Sequence, residues 1–193
     1  MKILNISYVI PIKGNKDEND IILRVQDHLK KAYGYKFEII KFLPYSNNLL
    51  ASFKKKWSRY NQLAKKNKIK VGNYNAHIFH SILPPTSNAI INYFFIPLNY
   101  IYYKFFLKNK LLPLAKKNDL ILAQNFFPDT VYAYFLHKDT SIPFIINIRD
   151  PLPSFFVNLP FVEKVIKNSK KIITPSPTYY NRFRNKLNIR FIP

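Results

Sequence analysis

The order of secondary-structure signals constrains the fold of this chain more than any other feature. Short runs of β-branched and apolar residues alternate with segments of helical periodicity. The first three segments predict a strand at 2–11, a helix at 21–32 and a strand at 37–43. Gly34 suits the position just past the end of that helix. A strand, a helix and a strand in this order form a βαβ unit, whose crossover implies parallel strands.

The same alternation resumes in the second half of the chain. A short strand is predicted at 76–83, and further strands at 119–124, 142–148, 171–174 and 189–192. Helices are predicted between them, at 128–137, 161–168 and 178–187. The pattern therefore predicts a Rossmann-like, doubly wound α/β domain over residues 1–193, with a mostly parallel sheet and helices on both faces.

Cysteine and histidine usage argues against a metal site or a disulfide. The chain has no cysteine, which excludes disulfides and thiolate ligands. The four histidines, at 28, 77, 80 and 137, show no ligand spacing. His77 and His80 are three residues apart in a predicted strand, so their side chains point to opposite faces. We therefore predict no metal and no cofactor.

The charge is strongly basic and unevenly distributed. The formal net charge is +21, from 31 basic and 10 acidic residues. No acidic residue lies between Glu38 and Asp119, whereas that stretch carries fourteen Lys or Arg residues. Such a field attracts nucleic acid, anionic lipid or phosphorylated substrates. A codon bias that enriches Lys, Asn, Ile, Phe and Tyr together explains the total charge equally well, but the one-sided distribution predicts a basic surface.

The middle of the chain predicts contact with an anionic membrane surface. Aromatic residues recur about one helical turn apart within a lysine-rich segment, and eight basic residues lie between Lys54 and Lys70. The predicted membrane-contact residues are Phe53, Lys54, Lys55, Lys56, Trp57, Arg59 and Tyr60. The aromatic run 93–107 is interrupted by Pro97, Asn99 and Lys104, so it predicts no membrane span, and we expect its apolar face to pack on the sheet.

A set of local patterns, in order over nearly the whole chain, carries a family resemblance. The patterns are KILNIS at 2–7 followed by Pro11 and Gly14, DLILAQ at 119–124, FPD at 127–129, IPFIINIRD at 142–150, KIITPS at 171–176 and FIP at 191–193. Together they resemble the N-terminal half of family 4-like glycosyltransferases, which have the two-domain GT-B architecture. The chain departs from that family at Leu122 and Gln124, where histidines are frequent, and in having one glycine in the first loop.

The resemblance implies an enzyme that transfers a sugar from a nucleotide-sugar to a glycan or lipid-linked acceptor, in cell-surface polysaccharide synthesis. It implies that this domain shapes the acceptor side of the cleft and that a second domain binds the donor. That donor-binding half is absent from residues 1–193, so we expect the chain alone to be inactive. The expected location is the cytoplasm, or the inner face of the cell membrane as a peripheral protein.

Two other function classes remain open. Charge and interleaved aromatic residues also fit a nucleic-acid-binding module. However, the sequence has no RNP, KH, zinc-finger or helix-turn-helix pattern, so nucleic acid is the less favoured partner. The third reading is a non-catalytic module that docks on a partner carrying the donor half.

Several candidate binding residues follow predicted strands, where open α/β sheets bind ligands. Gly14 would let backbone N–H groups approach a phosphate, or it is an ordinary turn glycine. Arg149 could hold a diphosphate or carboxylate through a bidentate fork, and Asp150 could accept hydrogen bonds from sugar hydroxyls. The alternative for this pair is a surface ion pair at the strand end.

Amide and hydroxyl side chains complete the set of candidates. Gln124 and Asn125 suit recognition of hydroxyl-rich sugars, or they are polar turn residues before Pro128. Ser176 could donate to a phosphate, but with Pro177 directly behind it a helix N-cap is favoured. The sequence points to no catalytic residue.

Overall fold

An eight-stranded sheet forms the centre of the molecule. The computed structural model describes residues 1–8, 21–44, 66–82, 89–149, 153–183 and 189–191. The strands are β1 (Lys2–Ile6), β2 (Lys36–Pro44), β3 (Lys68–Val71), β4 (Tyr74–Ser81), β5 (Leu120–Ala123), β6 (Phe144–Asn147), β7 (Lys171–Thr174) and β8 (Ile189–Phe191). The helices are α1 (Ile21–Tyr33), α2 (Ala89–Phe94), α3 (Ile96–Tyr102), α4 (Lys108–Ala115), α5 (Val131–Thr140), α6 (Pro160–Asn168) and α7 (Pro177–Phe183).

The strand order is that of a Rossmann-like sheet. It runs β3-β4-β2-β1-β5-β6-β7-β8, and each pair of neighbours is parallel except β3 and β4. From β1 the chain first builds outward through β2 and β4, then returns to place β5 on the other side of β1. This reversal is the topological switch point of a doubly wound fold. The predicted α/β class and mostly parallel sheet are confirmed.

Consecutive residues of the central strands face two different cores, which explains helices on both faces. Ile39 belongs to a small cluster that includes Ile22 of α1, whereas its neighbour Ile40 belongs to the large cluster beneath α5 and α6. Because strand side chains alternate, β2 is buried on both faces. Its near-continuous apolar sequence is the pattern typical of a parallel sheet.

The first βαβ unit matches its prediction closely. In α1, Ile22 and Gln26 lie one turn apart and both point inward. Gly34 follows the helix with φ +67°, and its N–H donates to the Lys30 carbonyl oxygen. Glycine adopts this left-handed conformation without steric cost, so the helix ends where the sequence predicts.

A hairpin of β3 and β4 corrects one prediction. Gly72 and Asn73 form a two-residue turn between Val71 and Tyr74, and Gly72 has φ +56°. Gly-Asn between alternating residues is a hairpin signal that the sequence analysis did not use. Lys68 and Lys70 lie in strand β3, so they cannot be part of the interfacial helix that the sequence predicts. Its aromatic and basic residues at 53–60 lie outside the described residues.

A kinked helical run connects β4 to β5. It comprises α2, α3, a π-helical turn at Tyr103–Leu107 and α4. One face packs on the large core through Ile96, Asn99, Tyr103, Leu107 and Leu111. The expectation that the run packs its apolar face on the sheet is correct for this side only. The opposite side exposes large apolar side chains, so the run has two apolar faces.

Polar side chains fix the buried face of this run. The Tyr132 hydroxyl donates to Asn99 Oδ1 at 2.7 Å, and Asn99 Nδ2 donates to the Phe95 carbonyl oxygen at 2.9 Å. The Tyr103 hydroxyl donates to Asp139 Oδ2 at 2.6 Å. Burial, and for Tyr103 also the Asp139 carboxylate, raises the pKa of both tyrosines, so each remains a donor. These bonds tie the run to α5.

No helix in the described ranges is both long and apolar enough to cross a membrane.

The stacked pair of Phe42 and Tyr132 gives a test of the large core. Both side chains are fully buried, and their ring centroids lie 4.0 Å apart. We expect Phe42→Ala to lower the free energy of unfolding by about 3–5 kcal/mol, because it removes a buried ring and leaves a cavity. Urea denaturation measures this loss. Phe155→Ala, at a half-exposed ring, is the control and should cost less than about 1 kcal/mol. Equal losses for the two variants would contradict this core assignment.

Candidate functional site

The carboxyl ends of β1 and β5 meet at the switch point of the sheet. Ser7 and Tyr8 follow β1, and Gln124 and Asn125 follow β5. The Gln124 N–H donates to the Ile6 carbonyl oxygen at 3.0 Å, so the two strand ends remain paired at this edge. Ligands of open α/β sheets bind in the crevice outside the carboxyl ends of the strands, where the order reverses. This edge is therefore the candidate site.

Three side-chain amides link three adjacent strands at this edge. Gln124 Nε2 donates to Asn5 Oδ1 at 3.0 Å, and Asn147 Nδ2 donates to Gln124 Oε1 at 2.9 Å. Asn5 belongs to β1, Gln124 follows β5, and Asn147 ends β6. The Gln124 amide donates one of these hydrogen bonds and accepts the other, so its side-chain orientation is fixed. We call Asn5, Gln124 and Asn147 the amide chain.

Some polar atoms at the same edge have no hydrogen-bond partner within the described part of the chain. They are Asn5 Nδ2, Ser7 Oγ and Asn125 Oδ1, and all three are buried. Buried polar groups in native proteins are nearly always hydrogen-bonded, to protein, water or ligand. The edge thus offers one donor, one acceptor and one hydroxyl to a water molecule or ligand that reaches it.

Two buried charges hold the backbone where β1 ends. The Asp129 Oδ1 atom accepts the Tyr8 N–H at 2.9 Å, and Lys41 Nζ donates to the Tyr8 carbonyl oxygen at 2.8 Å. Lys41 is 1% exposed and Asp129 is 0% exposed. A buried charge must be compensated to be tolerated, so these bonds fix the direction in which the chain leaves β1.

The predicted site residues that the structure describes all follow carboxyl ends of parallel strands. Gln124 lies in the amide chain. Asn125 is buried, and its carbonyl oxygen accepts both the N–H and the Oγ1 hydroxyl of Thr130, which closes the turn before α5. Arg149 lies two residues past the end of β6, and Ser176 lies directly before α7. Gly14 and Asp150 lie outside the described residues.

Four residues of this edge were missed by sequence reasoning. They are Asn5, Lys41, Asp129 and Asn147. For Lys41 the sequence does carry a signal of a special role, because it is the one charged residue inside the apolar run 39–43. A charge in a strand buried on both faces requires a partner, and that partner is a backbone group whose position only the fold determines. The sequence predicts that a helix starts at Pro128. In the structure a π-helical turn at Phe126–Thr130, which carries Asp129, leads directly into α5 at Val131.

A basic cavity lies at the opposite, amino-terminal edge of the sheet. Its volume is about 520 Å³, and Lys30, Lys36 and Lys68 are among its lining residues. There His77 Nε2 lies 3.0 Å from Glu38 Oε1. Burial lowers the pKa of His77, and the charges of Lys68 and Lys117 add to that shift, whereas the Glu38 carboxylate opposes it. The cavity is basic but lies away from the switch point.

Comparison with known proteins gives no match from which a function could be assigned. No protein-family model matches the chain, and no curated protein sequence matches it. Within the ranges that the structure describes, no three His, Cys, Asp or Glu side chains are grouped as metal ligands would be. What the carboxyl edge can do chemically is to present neutral hydrogen-bonding groups on a rigid frame.

The contact between Asp129 and Tyr8 can be tested by substitution. We expect Asp129→Ala to lower the free energy of unfolding by about 1.5–3 kcal/mol, because a buried charge-assisted hydrogen bond is lost. The Tyr8 amide proton resonance should also shift upfield when the carboxylate is removed. Glu163→Ala, at a half-exposed carboxylate 2.6 Å from Lys167, should cost no more than about 0.5 kcal/mol. An unchanged Tyr8 amide shift would contradict this contact.

The protonation of His77 gives a second prediction. Its pKa, measured from the ring-proton NMR shifts, should lie below the ordinary value of 6.5. Glu38→Gln should lower the pKa further, and Lys68→Gln should raise it, whereas Lys31→Gln should leave it unchanged. Because the folded state favours the neutral ring, the unfolded chain binds the proton more readily. This contribution to stability is present above pH 6.5 and is lost as the pH falls. A pKa above 6.5 would contradict the prediction.

Proposed function

We propose that this chain is the acceptor-side domain of a glycosyltransferase that moves a sugar from a nucleotide-sugar to a glycan or lipid-linked acceptor. The amide chain at the switch point is the observation that carries this proposal. Asn5, Gln124 and Asn147 stand on three adjacent strands at the edge where doubly wound folds bind their ligands. The resemblance of the ordered strand-end patterns to family 4-like glycosyltransferases adds the reaction class.

The chemistry of the edge suits hydroxyl-rich ligands. A sugar hydroxyl both donates and accepts a hydrogen bond, as do amides and the serine hydroxyl. Asn5 Nδ2 can donate, Asn125 Oδ1 can accept, and Ser7 Oγ can do either. Because Gln124 is held at both ends, its neighbours are oriented before the ligand arrives. Such preorganisation reduces the entropy lost on binding.

Arg149 supplies charge beside these neutral groups. Asn147, Ile148 and Arg149 are consecutive, and Ile148 is buried while the residues on either side are half-buried. This alternation is that of an extended chain, so Asn147 and Arg149 point to the same face. A guanidinium there can hold a diphosphate or an acceptor carboxylate through paired hydrogen bonds.

The proposed reaction is a displacement at the anomeric carbon of the donor sugar. An acceptor hydroxyl oxygen forms the new C–O bond, the bond to the nucleoside diphosphate breaks, and the hydroxyl proton passes to a base. In this scheme the nucleotide-sugar is a substrate and not a cofactor. The groups of this domain orient the acceptor, and such positioning is a large part of the rate enhancement in bimolecular transfers.

The proposal is tested by sugar binding to the purified chain. Methyl hexosides and their N-acetylated analogues serve as probes in saturation-transfer NMR. We expect Asn147→Leu and Gln124→Leu to weaken binding by about tenfold or more, because they break the amide chain and leave its remaining members unpaired. Arg149→Ala should weaken the binding of sugar phosphates but not of neutral hexosides.

Asn118 provides a matched control at the other end of the sheet. Its buried amide donates to Glu38 Oε2 at 3.1 Å and to the Leu114 carbonyl oxygen at 2.9 Å. Asn118→Leu should destabilise the protein to a similar degree yet leave hexoside binding unchanged. If Asn118→Leu and Asn147→Leu weaken binding equally, the site is not at the switch point. Hexosides that do not bind, together with salt-dependent binding of short oligonucleotides, would favour the nucleic-acid module instead.

A further inference from the structure

Exposed apolar side chains are concentrated on the kinked helical run between β4 and β5. Eight of the thirteen large apolar side chains that are exposed in the described residues belong to this run. Five of them recur every three or four residues and so lie along one side of it. We call these five the apolar stripe: Ile90, Phe94, Leu98, Ile101 and Phe105.

The apolar stripe is not the core-facing side of the run. That side carries four buried residues, Ile96, Asn99, Tyr103 and Leu107, and two of them, Asn99 and Tyr103, are hydrogen-bonded to α5. The stripe lies opposite, and Phe94 and Phe105 are 72% and 70% exposed. A surface helix normally has one apolar face and one polar face, so a second apolar face requires its own explanation.

Positive charge accompanies the apolar stripe. Lys104 and Lys110 on the same run are exposed, and no acidic residue occurs in the sequence between Glu38 and Asp119. Next to the run, a groove of about 440 Å³ separates it from α5 and α6. The groove is lined by aromatic rings, by Asp139 and by four lysines, of which Lys138 and Lys164 come from the two packed helices.

We propose that the apolar stripe inserts into the surface of an anionic lipid bilayer. Aromatic and aliphatic side chains would enter the boundary between headgroups and acyl chains, while the adjoining lysines contact anionic headgroups. The residues of this surface are not those at 53–60 that the sequence predicts to contact the membrane. This inference does not depend on sugar transfer.

Charge decides between a bilayer and a second copy of the chain. A symmetric dimer through the apolar stripe would bring the same lysines of two molecules together, and each molecule carries a net charge of +21. An anionic bilayer provides an apolar interior and compensating charge at once. A soluble partner would have to combine an apolar groove with an acidic rim, and a chain that stays in solution with anionic vesicles would favour such a partner over a bilayer.

The test is sedimentation with vesicles of phosphatidylcholine, with and without phosphatidylglycerol, at low salt. We expect the chain to sediment with phosphatidylglycerol vesicles and to be released by salt. Phe94→Ser with Phe105→Ser should lower the partition coefficient by about tenfold or more, because two exposed rings no longer enter the bilayer. Phe155→Ser, at a half-exposed ring in the short 3₁₀-helix Ser154–Asn158, should change the partition coefficient less than twofold.

A lysine variant keeps the proposal testable if the serine variant is poorly folded. Lys104→Gln with Lys110→Gln should lower partitioning onto phosphatidylglycerol vesicles by roughly fivefold for each lysine. Lys31→Gln with Lys70→Gln, which are exposed on α1 and β3, is the matched control and should have a smaller effect. Melting temperatures near that of the parent chain establish that each variant is folded.

Three results would overturn the proposal. One is sedimentation of the phenylalanine variant equal to that of the parent chain, which would place the membrane contact elsewhere. Another is a parent chain that stays in solution with phosphatidylglycerol vesicles. The third is a concentration-dependent dimer that Phe94→Ser with Phe105→Ser abolishes, which would assign the apolar stripe to self-association.

Discussion

Burial of β1 on every side is the constraint on which the rest of the structure depends. β1 has a parallel partner along each edge, β2 and β5, and the residues Ile3 to Ser7 are buried. Polar groups buried at its carboxyl end need hydrogen-bond partners, which the protein, water or a ligand can supply. Asn5 accepts a hydrogen bond from Gln124. The Tyr8 backbone is hydrogen-bonded to the side chains of Asp129 and Lys41. The candidate site is the set of partners that a buried strand end requires.

This constraint accounts for a division of roles at the switch point. Charged groups with 0–1% exposure, Asp129 and Lys41, bind backbone atoms and fix the path of the chain. Neutral amides stand beside them on three strands, and one of their atoms, Asn5 Nδ2, has no hydrogen-bond partner among the described residues. These side chains hold the Tyr8 backbone at the end of β1, because the loss of either hydrogen bond leaves a buried charge uncompensated. Neutral groups exchange water for a ligand hydroxyl at little cost, so they are the groups suited to binding.

The sequence predicted the fold better than the site, for a physical reason. Strands such as β7, at Lys171–Thr174, and the end of α1 at Gly34 depend on neighbours in the chain, so local patterns locate them. The amide chain instead joins Asn5 to Gln124, which are 119 positions apart. Residue types alone predicted Gln124 as a binding amide, but its partners follow from strand order. The sequence also did not predict that the run between β4 and β5 has two apolar faces, because apolar content does not distinguish packed residues from exposed ones.

The apolar stripe and the amide edge are connected through a short path of buried contacts. Asn99 of α3 accepts a hydrogen bond from Tyr132 of α5, and α5 follows directly on the turn that Asn125 and Thr130 close. The part of the apolar stripe that lies on α3 therefore keeps a fixed position relative to the strand ends, because the contacts between them are buried and close-packed. If the apolar stripe lies on a bilayer, the amide chain stands at a fixed distance and angle from the membrane. Under the proposed function, an acceptor anchored in lipid would then reach the amide chain by diffusion in two dimensions, which favours encounter without any additional contact to the acceptor.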